Sequence, residues 1–366
     1  MNAKLLFRAR LAQPSGTSLL ILLAFITISW AVVLDWSTGG FEGKMPLMSI
    51  PLLTCASICG ILGYGAVPLL RRLKTGQVIQ EDGPQTHLKK AGTPTMGGIF
   101  FVPVAAIVAP IWSRPTAELI AVSVVTLAYG AIGWLDDWQV LRQQSNKGIS
   151  PKMKLTLQIT VATLFCFWMM WYEPASITNI ALPGGINLSL GLLFWPLAGF
   201  VLTAENNATN LTDGIDGLAA GTGAIAFLGL GAIVAPTSPE LMVFCACLSG
   251  GCLGFTLHNR NPANVFMGDT GSLAVGGALA AAGLLSGNLW GLFIVSGIFF
   301  VESLSVIAQV SYYKATKGPD GKGKRLLKMA PLHHHLELSG WTETQVVGAF
   351  YLINTLLAIV AYWFRN

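Results

Sequence analysis

Charge is scarce in this 366-residue chain: Asp, Glu, Lys and Arg supply only 11% of it, against 53% hydrophobic residues. A soluble domain carries about 25% charged residues, so the composition excludes an ordinary water-soluble fold. With a mean hydropathy of +0.62, the chain belongs in a bilayer. Cysteine is also sparse. All six, Cys55, Cys59, Cys166, Cys245, Cys247 and Cys252, fall inside apolar runs, which excludes an aqueous zinc-site spacing and leaves them as small core residues. There is no low-complexity tract and no heptad array. Short alternating strands, which a membrane barrel requires, are missing as well, so backbone hydrogen bonding in lipid must be satisfied within helices.

What the chain does have is a succession of apolar runs of about 17 to 25 residues, the length that crosses a hydrocarbon core as helix. The runs read as spans over residues 18–34, 46–70, 96–111, 117–135, 155–171, 188–203, 218–235, 241–257, 272–285, 289–312 and 345–364. The expected fold is therefore all-α, a polytopic integral membrane protein of about eleven transmembrane helices. The run 18–34 exceeds a signal-peptide core and lacks a small-x-small cleavage site after it, so it reads as a retained span. That divides the chain into an N-terminal segment, 1–45, and a membrane domain, 46–366. Residues 286–288 read as a split between spans, with a kink in one helix as the alternative.

Charge tests this count independently, because cytoplasmic loops carry excess Lys and Arg. Of 22 such residues only Lys44, Arg114 and Arg365 fall on the far side. The rest, among them Lys4, Arg8, Arg10, Arg71, Arg72, Lys74, Lys89, Lys90, Arg142, Lys147, Lys152, Lys154 and Arg260, share one side, which is the cytoplasmic one. Residues 314–328, rich in Lys and Gly, read as a flexible basic loop on that side. Asn207-Ala-Thr and Asn210-Leu-Thr match a glycosylation pattern, but this topology puts them in the cytosol.

Five polar stretches lie in the loops after spans 2, 4, 6, 8 and 10, hence on the same face: 83–98, Asp136-Asp137, 207–217, 266–272 and 331–337. Asp136 and Asp137 are expected at a helix C-terminus, where the macrodipole disfavours negative charge and a cation such as Arg142 or Lys147 must compensate. Asp213 and Asp216 would share a face of the first turn of a helix beginning near Thr212; capping is the competing reading for each. The amides near Thr270 to Ser272 would open a helix suited to an anion, with Mg²⁺ reconciling that anion with Asp269. Phe266 packs in the membrane or stacks on a base. Consecutive His333, His334 and His335 point in different directions on any regular backbone, which favours binding of phosphate or sugar oxygens over one shared metal. Lys89 and Lys90 would contact lipid head groups or a diphosphate. Glu302, inside a span, should face protein; His87 and His258 carry no such weight. Together the stretches describe a cytosol-facing site for phosphoryl transfer between a soluble donor and a lipid acceptor. A cation transporter would instead place its carboxylates near the bilayer midplane.

Gly92-Thr-Pro-Thr-Met-Gly-Gly98, Asn210-Leu-Thr-Asp-Gly-Ile-Asp-Gly217, Val265-Phe-Met-Gly-Asp-Thr-Gly-Ser-Leu273 and Ala330-Pro-Leu-His-His-His-Leu-Glu337 resemble, in order, the motifs of the bacterial phospho-N-acetylmuramoyl-pentapeptide transferase family. That family lies within the polyprenyl-phosphate N-acetylhexosamine-1-phosphate transferases. The resemblance implies a UDP-N-acetylmuramoyl-pentapeptide donor, an undecaprenyl phosphate acceptor, lipid I and UMP as products, Mg²⁺ as cofactor, a homodimer in the bacterial inner membrane, and no nucleic-acid partner. By position it makes Asp136, Asp137, Asp213 and Asp269 the catalytic cluster, with Asp136 orienting or deprotonating the lipid phosphate. Asp269 is the implied Mg²⁺ ligand, and Asn210 and Asp213 are further candidates. Lys90, Gly214, Ile215, Asp216, Asn259 and Phe266 match the nucleoside pocket. Thr95, Lys154, Asn210 and His333 to His335 would line the same cleft, and 289–312 would border the lipid groove. The chain departs from the family in two places. Many relatives carry Asp-Asp-x-x-Lys, whereas here that position is Val140, passing the lysine's role to Lys147, Lys152 or Lys154; the span 18–34 is also additional. A sister N-acetylglucosamine-1-phosphate transferase is the alternative reading, which the consecutive histidines disfavour.

Overall fold

The computed structural model describes residues 14–43, 45–73, 90, 92–143, 148–182 and 184–364. Lys4, Arg8, Arg10, Lys44, Lys74, His87, Lys89, Lys147 and Arg365 lie outside them. The described chain is helical: α1 Gly16–Ser37, α2 Ser49–Arg72, α3 Gly98–Trp112, α4 Ala117–Gln143, α5 Pro151–Tyr172, α6 Phe194–Thr212, α7 Leu218–Val234, α8 Pro239–Asn259, α9 Gly268–Leu285, α10 Leu289–Val295, α11 Gly297–Ala315, α12 Leu332–Leu338 and α13 Glu343–Trp363. The all-α expectation holds apart from one antiparallel hairpin, β1 Asn179–Leu182 with β2 Ile186–Ser189.

Local chemistry sets several of the boundaries. Ser150 caps α5 by accepting from Met153 N–H (3.2 Å), with Pro151 at the first helical position. Thr342 and Gln345 form a reciprocal capping box on α13. Buried Asp35 at the end of α1 accepts the N–H groups of Met48 (2.6 Å) and Ser49 (2.9 Å), capping α2 from a neighbouring helix. The first helix is thereby tied into the bundle, where it packs on α2, α7, α8 and α13.

Helices α7, α8 and α9 form the centre and are buried along nearly their whole length. The outer helices turn large apolar side chains outward, including Phe25, Ile61, Leu164, Trp171, Leu304 and Leu356, the surface a lipid-facing ring requires. Among the described residues six helices, α1, α2, α4, α5, α8 and α13, are long and apolar enough to cross a membrane, and the bent pair α10/α11 would add a seventh. Each of the eleven expected runs contains helix, yet α3 and α7 are shorter and α6 carries Glu205, Asn206, Asn207 and Asn210. A helix shielded by other helices needs neither full span length nor a continuous apolar surface.

Three expectations change, for 188–203, for 289–312 and for the basic loop, while the split at 286–288 holds. The run 188–203 begins as strand and turns helical only at Phe194, and α6 continues through Thr212. Residues 286–288 are a genuine break between α9 and α10, whereas 289–312 is no single straight span: α10 and α11 meet at 71°. The basic loop is not free of the bundle. Gln309 Oε1 accepts from Leu326 N–H (3.0 Å) and Leu327 N–H (2.8 Å), and Thr316 Oγ1 accepts from Lys324 N–H (2.8 Å), folding it back onto α11.

Close approach of α8 to α2 depends on Gly250 and Gly254, where a β-carbon would collide with the carbonyl oxygens of Leu52 and Ala56. This is the small-residue spacing that lets membrane helices touch backbone to backbone. Gly254→Val is expected to lower the melting temperature in detergent by several degrees. A differential scanning fluorimetry trace matching the unmutated protein would refute this packing.

Candidate active site

Antiparallel succession brings the ends of α2, α4, α6, α8 and α11 to one end of the bundle, together with the starts of α3, α5, α7, α9 and α13. The described parts of all five polar stretches, Lys90 and 92–98 in the case of the first, meet there. Phe266 N–H donates to Pro94 C=O (2.8 Å), while Gly97 N–H donates to Phe266 C=O (2.9 Å) and Gly98 N–H to Met267 C=O (3.0 Å). Between Thr95 and Gly97, Met96 takes φ +70°, the one positive-φ non-glycine among the described residues, and such strain persists where surrounding contacts over-determine it.

Asp137, on α4, is buried and fully engaged. Its Oδ1 accepts from Asp269 N–H (3.2 Å), and its Oδ2 accepts from Thr270 N–H (3.0 Å) and Thr270 Oγ1–H (2.6 Å). Gly268 N–H is bound by the Asp213 carboxylate. The first amides of α9 are thus capped by two carboxylates from other elements, which corrects the expectation that they are available to an anion. Gly268 adopts φ +71°, and a β-carbon there would stand 2.5 Å from Asp137 Oδ2 and 2.8 Å from Thr95 Oγ1, so this junction admits glycine alone.

Two further expectations fail on helix boundaries. Asp136 and Asp137 do not end a helix, because α4 runs on to Gln143. Asp213 is the C-cap of α6 and Asp216 lies in the loop before α7 starts at Leu218, so the pair does not share a first helical turn.

Asp136 Oδ1 accepts from Ile149 N–H (2.7 Å), and its Oδ2 faces Lys154 Nζ at 3.4 Å. Lys154 also pairs closely with Asp269 Oδ2. Asp269 Oδ1 accepts from Asn210 Nδ2 (2.8 Å), which donates as well to Ser272 Oγ (2.9 Å). A continuous line Asp136–Lys154–Asp269–Asn210 therefore joins α4, α5, α9 and α6. Of the three lysines that sequence offered in place of Val140, the structure brings Lys154 to the carboxylates. Burial first, then the charges of Asp269, Asp137 and Asp216, hold the Asp213 carboxyl well above the usual carboxylate range. The cluster holds more negative charge than its lysine offsets.

Beside this line lies a second network. Lys90 Nζ pairs with Asp216 Oδ1 (2.8 Å) and Glu343 Oε2 (2.6 Å). Asn261 Nδ2 donates to Asp216 Oδ2 and Glu343 Oε2, both at 3.1 Å, and Ala263 N–H donates to Asp216 Oδ2 (3.0 Å). Burial works against the charge on Lys90, but attraction to Asp216 and Glu343 outweighs it and raises its pKa. Asn259 is buried and spent on backbone: it accepts from Gly217 N–H (2.9 Å) and donates to Val265 C=O (2.9 Å). Ile215 is buried, and Phe266 is half-buried beside the cluster.

The histidines separate as their adjacency on a helix demands. His333 is wholly buried, with Nδ1 3.2 Å from Glu302 Oε2 and its backbone N–H donating to Glu302 Oε1 (3.2 Å). Its ring fills the space a β-carbon on Gly214 would need. His334 Nδ1 lies 2.8 Å from Glu337 Oε2, and His335 Nδ1 accepts from Lys328 N–H (3.1 Å). Glu302 faces protein, as expected of a charge inside a span, and His258 is a buried packing residue bound to Gly60 C=O (2.8 Å). Sequence reading missed Glu343 and Asn261. The capping-box spacing at Thr342 and Gln345 is a local sequence signal for the start of α13 that the expected span 345–364 did not use, and nothing local joins Glu343 to Lys90, 253 positions earlier.

Fold and site together define a multi-pass helical membrane protein with a carboxylate–lysine centre at one end of the bundle. Residues 119–287 match Glycosyl transferase family 4, and residues 90–102 match the phospho-N-acetylmuramoyl-pentapeptide-transferase signature 1. The chain is 70% identical over 363 residues to the phospho-N-acetylmuramoyl-pentapeptide-transferase of Gloeothece citriformis, covering 99% of each. Against the protein of that name from Rippkaea orientalis it is 67% identical over 365 residues, again 99% of each; against that of Trichormus variabilis it is 69% identical over 331 residues, 90% of each. The chain belongs to the phospho-N-acetylmuramoyl-pentapeptide-transferase family and is a transferase.

Proposed function

We propose that this protein transfers phospho-N-acetylmuramoyl-pentapeptide from its UDP conjugate to undecaprenyl phosphate, forming lipid I and releasing UMP, at the cytoplasmic face of a bacterial inner membrane. Family membership supports the reaction, and the bias of Lys and Arg to one side supports the orientation. The observation that carries the reading is the convergence of Asp136, Lys154, Asp269, Asn210 and Asp213 from four separate helices into one centre beside the Lys90 network. The homodimer rests on the resemblance alone.

Mg²⁺ is the cofactor assigned to this centre. The donors on offer, carboxylates of Asp269 and Asp213 with the Asn210 amide, are hard oxygens in a cluster short of positive charge, and these three would hold the ion. Among the described residues no three His, Cys, Asp or Glu side chains form a ready metal cage; Mg²⁺ needs only one or two carboxylates when substrate phosphates complete its shell. When bound, it neutralises the donor diphosphate and the UMP leaving group.

In the direct route a lipid phosphate oxygen attacks the donor's β-phosphorus, and the bond to the UMP phosphate oxygen breaks with its electron pair leaving on UMP. A phosphate monoester has its second pKa near 6, so the acceptor is largely dianionic at neutral pH. Asp136, fixed by Ile149 N–H, therefore orients that phosphate more than it deprotonates it. Lys154 offsets the charge gathering between Asp136 and Asp269. Lys90, with Asp216, holds the nucleotide portion, so Lys90→Ala is expected to raise KM for the UDP donor about tenfold with a smaller change in kcat; an unchanged KM would remove Lys90 from the donor site.

The deciding assay is UMP release from the muramoyl-pentapeptide donor by purified protein with undecaprenyl phosphate. It should stop with EDTA and resume with Mg²⁺. Phosphorylated protein isolated after incubation with donor alone would replace the direct route by a covalent one.

A further inference from the structure

The basic loop found in the sequence takes no part in the chemistry above, yet it encloses space. Between it and α11 lies a cavity of about 500 Å³, with Lys314, Lys317 and Arg325 at its rim and Val306, Tyr313 and Met329 among its walls. No acidic side chain lines it, and none of the three cations ion-pairs with a described residue. The loop is built rather than loose: Gln309 and Thr316 fasten its backbone to α11, and Arg325 Nη1 donates to Lys328 C=O (3.2 Å). An apolar-walled recess with an uncompensated cationic rim suits an anion attached to an organic chain.

Position decides which anion. Glu302, Val306, Gln309 and Tyr313 recur at helical spacing along one face of α11. Glu302 holds His333, and His333 rests on Gly214, adjacent to Asp213. The cavity thus continues the face of α11 that leads to the reaction centre. The bilayer-type surface of this helix, exposed Val301, Leu304 and Ile307, points elsewhere. From Glu302 to Tyr313 is roughly 16 Å of helix at 1.5 Å per residue, within the roughly 17 Å an extended pentapeptide spans.

We propose that this cavity binds the C-terminal carboxylate of the donor's pentapeptide, a proposal that rests on the donor assigned above. Lys314 and Lys317 supply point charges; Arg325 offers the planar fork that matches a carboxylate.

The test compares the pentapeptide donor with the same donor amidated at its C-terminus, using full-length protein and the variant Lys317→Gln/Arg325→Gln in neutral-lipid nanodiscs. The variant should raise KM for the carboxylate donor about five- to tenfold with kcat nearly unchanged, as expected for partly exposed charge-assisted contacts. Amidation should raise the KM of the unmutated protein similarly, and the two changes together should add little. Equal KM values for both donors on the unmutated protein, or a variant deficit of the same size with both, would overturn the subsite. So would a deficit that arises only in nanodiscs containing anionic lipid, since the cavity would then hold a lipid head group. Failure of the unmutated protein to release UMP from either donor would instead defeat the reaction proposed above. A matching melting temperature shows that the variant is folded.

Discussion

Asp269→Asn will reduce UMP release by about a thousandfold or more while leaving the melting temperature near that of the unmutated protein. Asp269 is half-buried at the start of α9 and links Lys154 to Asn210. Its backbone is held independently, through its N–H on Asp137. Removing the charge therefore leaves the helix cap in place and takes from the centre a partner of Lys154 and the metal ligand proposed above. Losses of about 10² to 10³ accompany removal of a single preorganised electrostatic contact in an active site, and a metal ligand should exceed that. Residual activity above a tenth would mean that the cation is held elsewhere in the cluster, with Asp213 the first residue to examine.

Asp137→Ala should behave differently, losing stability and activity together. Its carboxylate serves three donors on α9, and each buried donor left unpaired costs about 1 to 3 kcal/mol. The expected result is a melting temperature lower by several degrees and activity down about a hundredfold, because the turn that frays is the one carrying Asp269. Asp137→Asn retains one carbonyl oxygen but turns an amide N–H₂ toward a donor, so it should fall between the unmutated protein and Asp137→Ala in both measurements. An inactive Asp137→Ala with unaltered melting would give this residue a chemical role that its contacts do not display. The adjacent carboxylates thus divide the work: Asp136 meets Lys154 at the centre, whereas Asp137 secures α9.

Much of the site was legible because short motifs carry their chemistry with them. Asn210, Asp213, Asp216 and Asp269 are dense polar residues between apolar runs, and the charge bias placed them on one side without any three-dimensional information. Their partners were not legible. The lysine that serves Asp136 and Asp269 sits on the next helix, at Lys154, where three candidates were open. Glu343 carries no motif and acquires meaning only when α13 begins beside Lys90. The amides of α9 looked available in sequence because nothing in a local stretch announces caps supplied from α4 and α6.

Sequence by itself determined the helical class, the membrane setting and the shared face of the five polar stretches, since hydropathy and loop charge are sums over local composition and depend only on chain order. Tertiary structure alone decided which carboxylate meets a lysine, which caps a helix, and where α6 and α10 bend or begin. Those outcomes depend on contacts across dozens to hundreds of residues and on glycine-sized gaps such as Gly268 and Gly214, whose close neighbours exist only after the helices have packed.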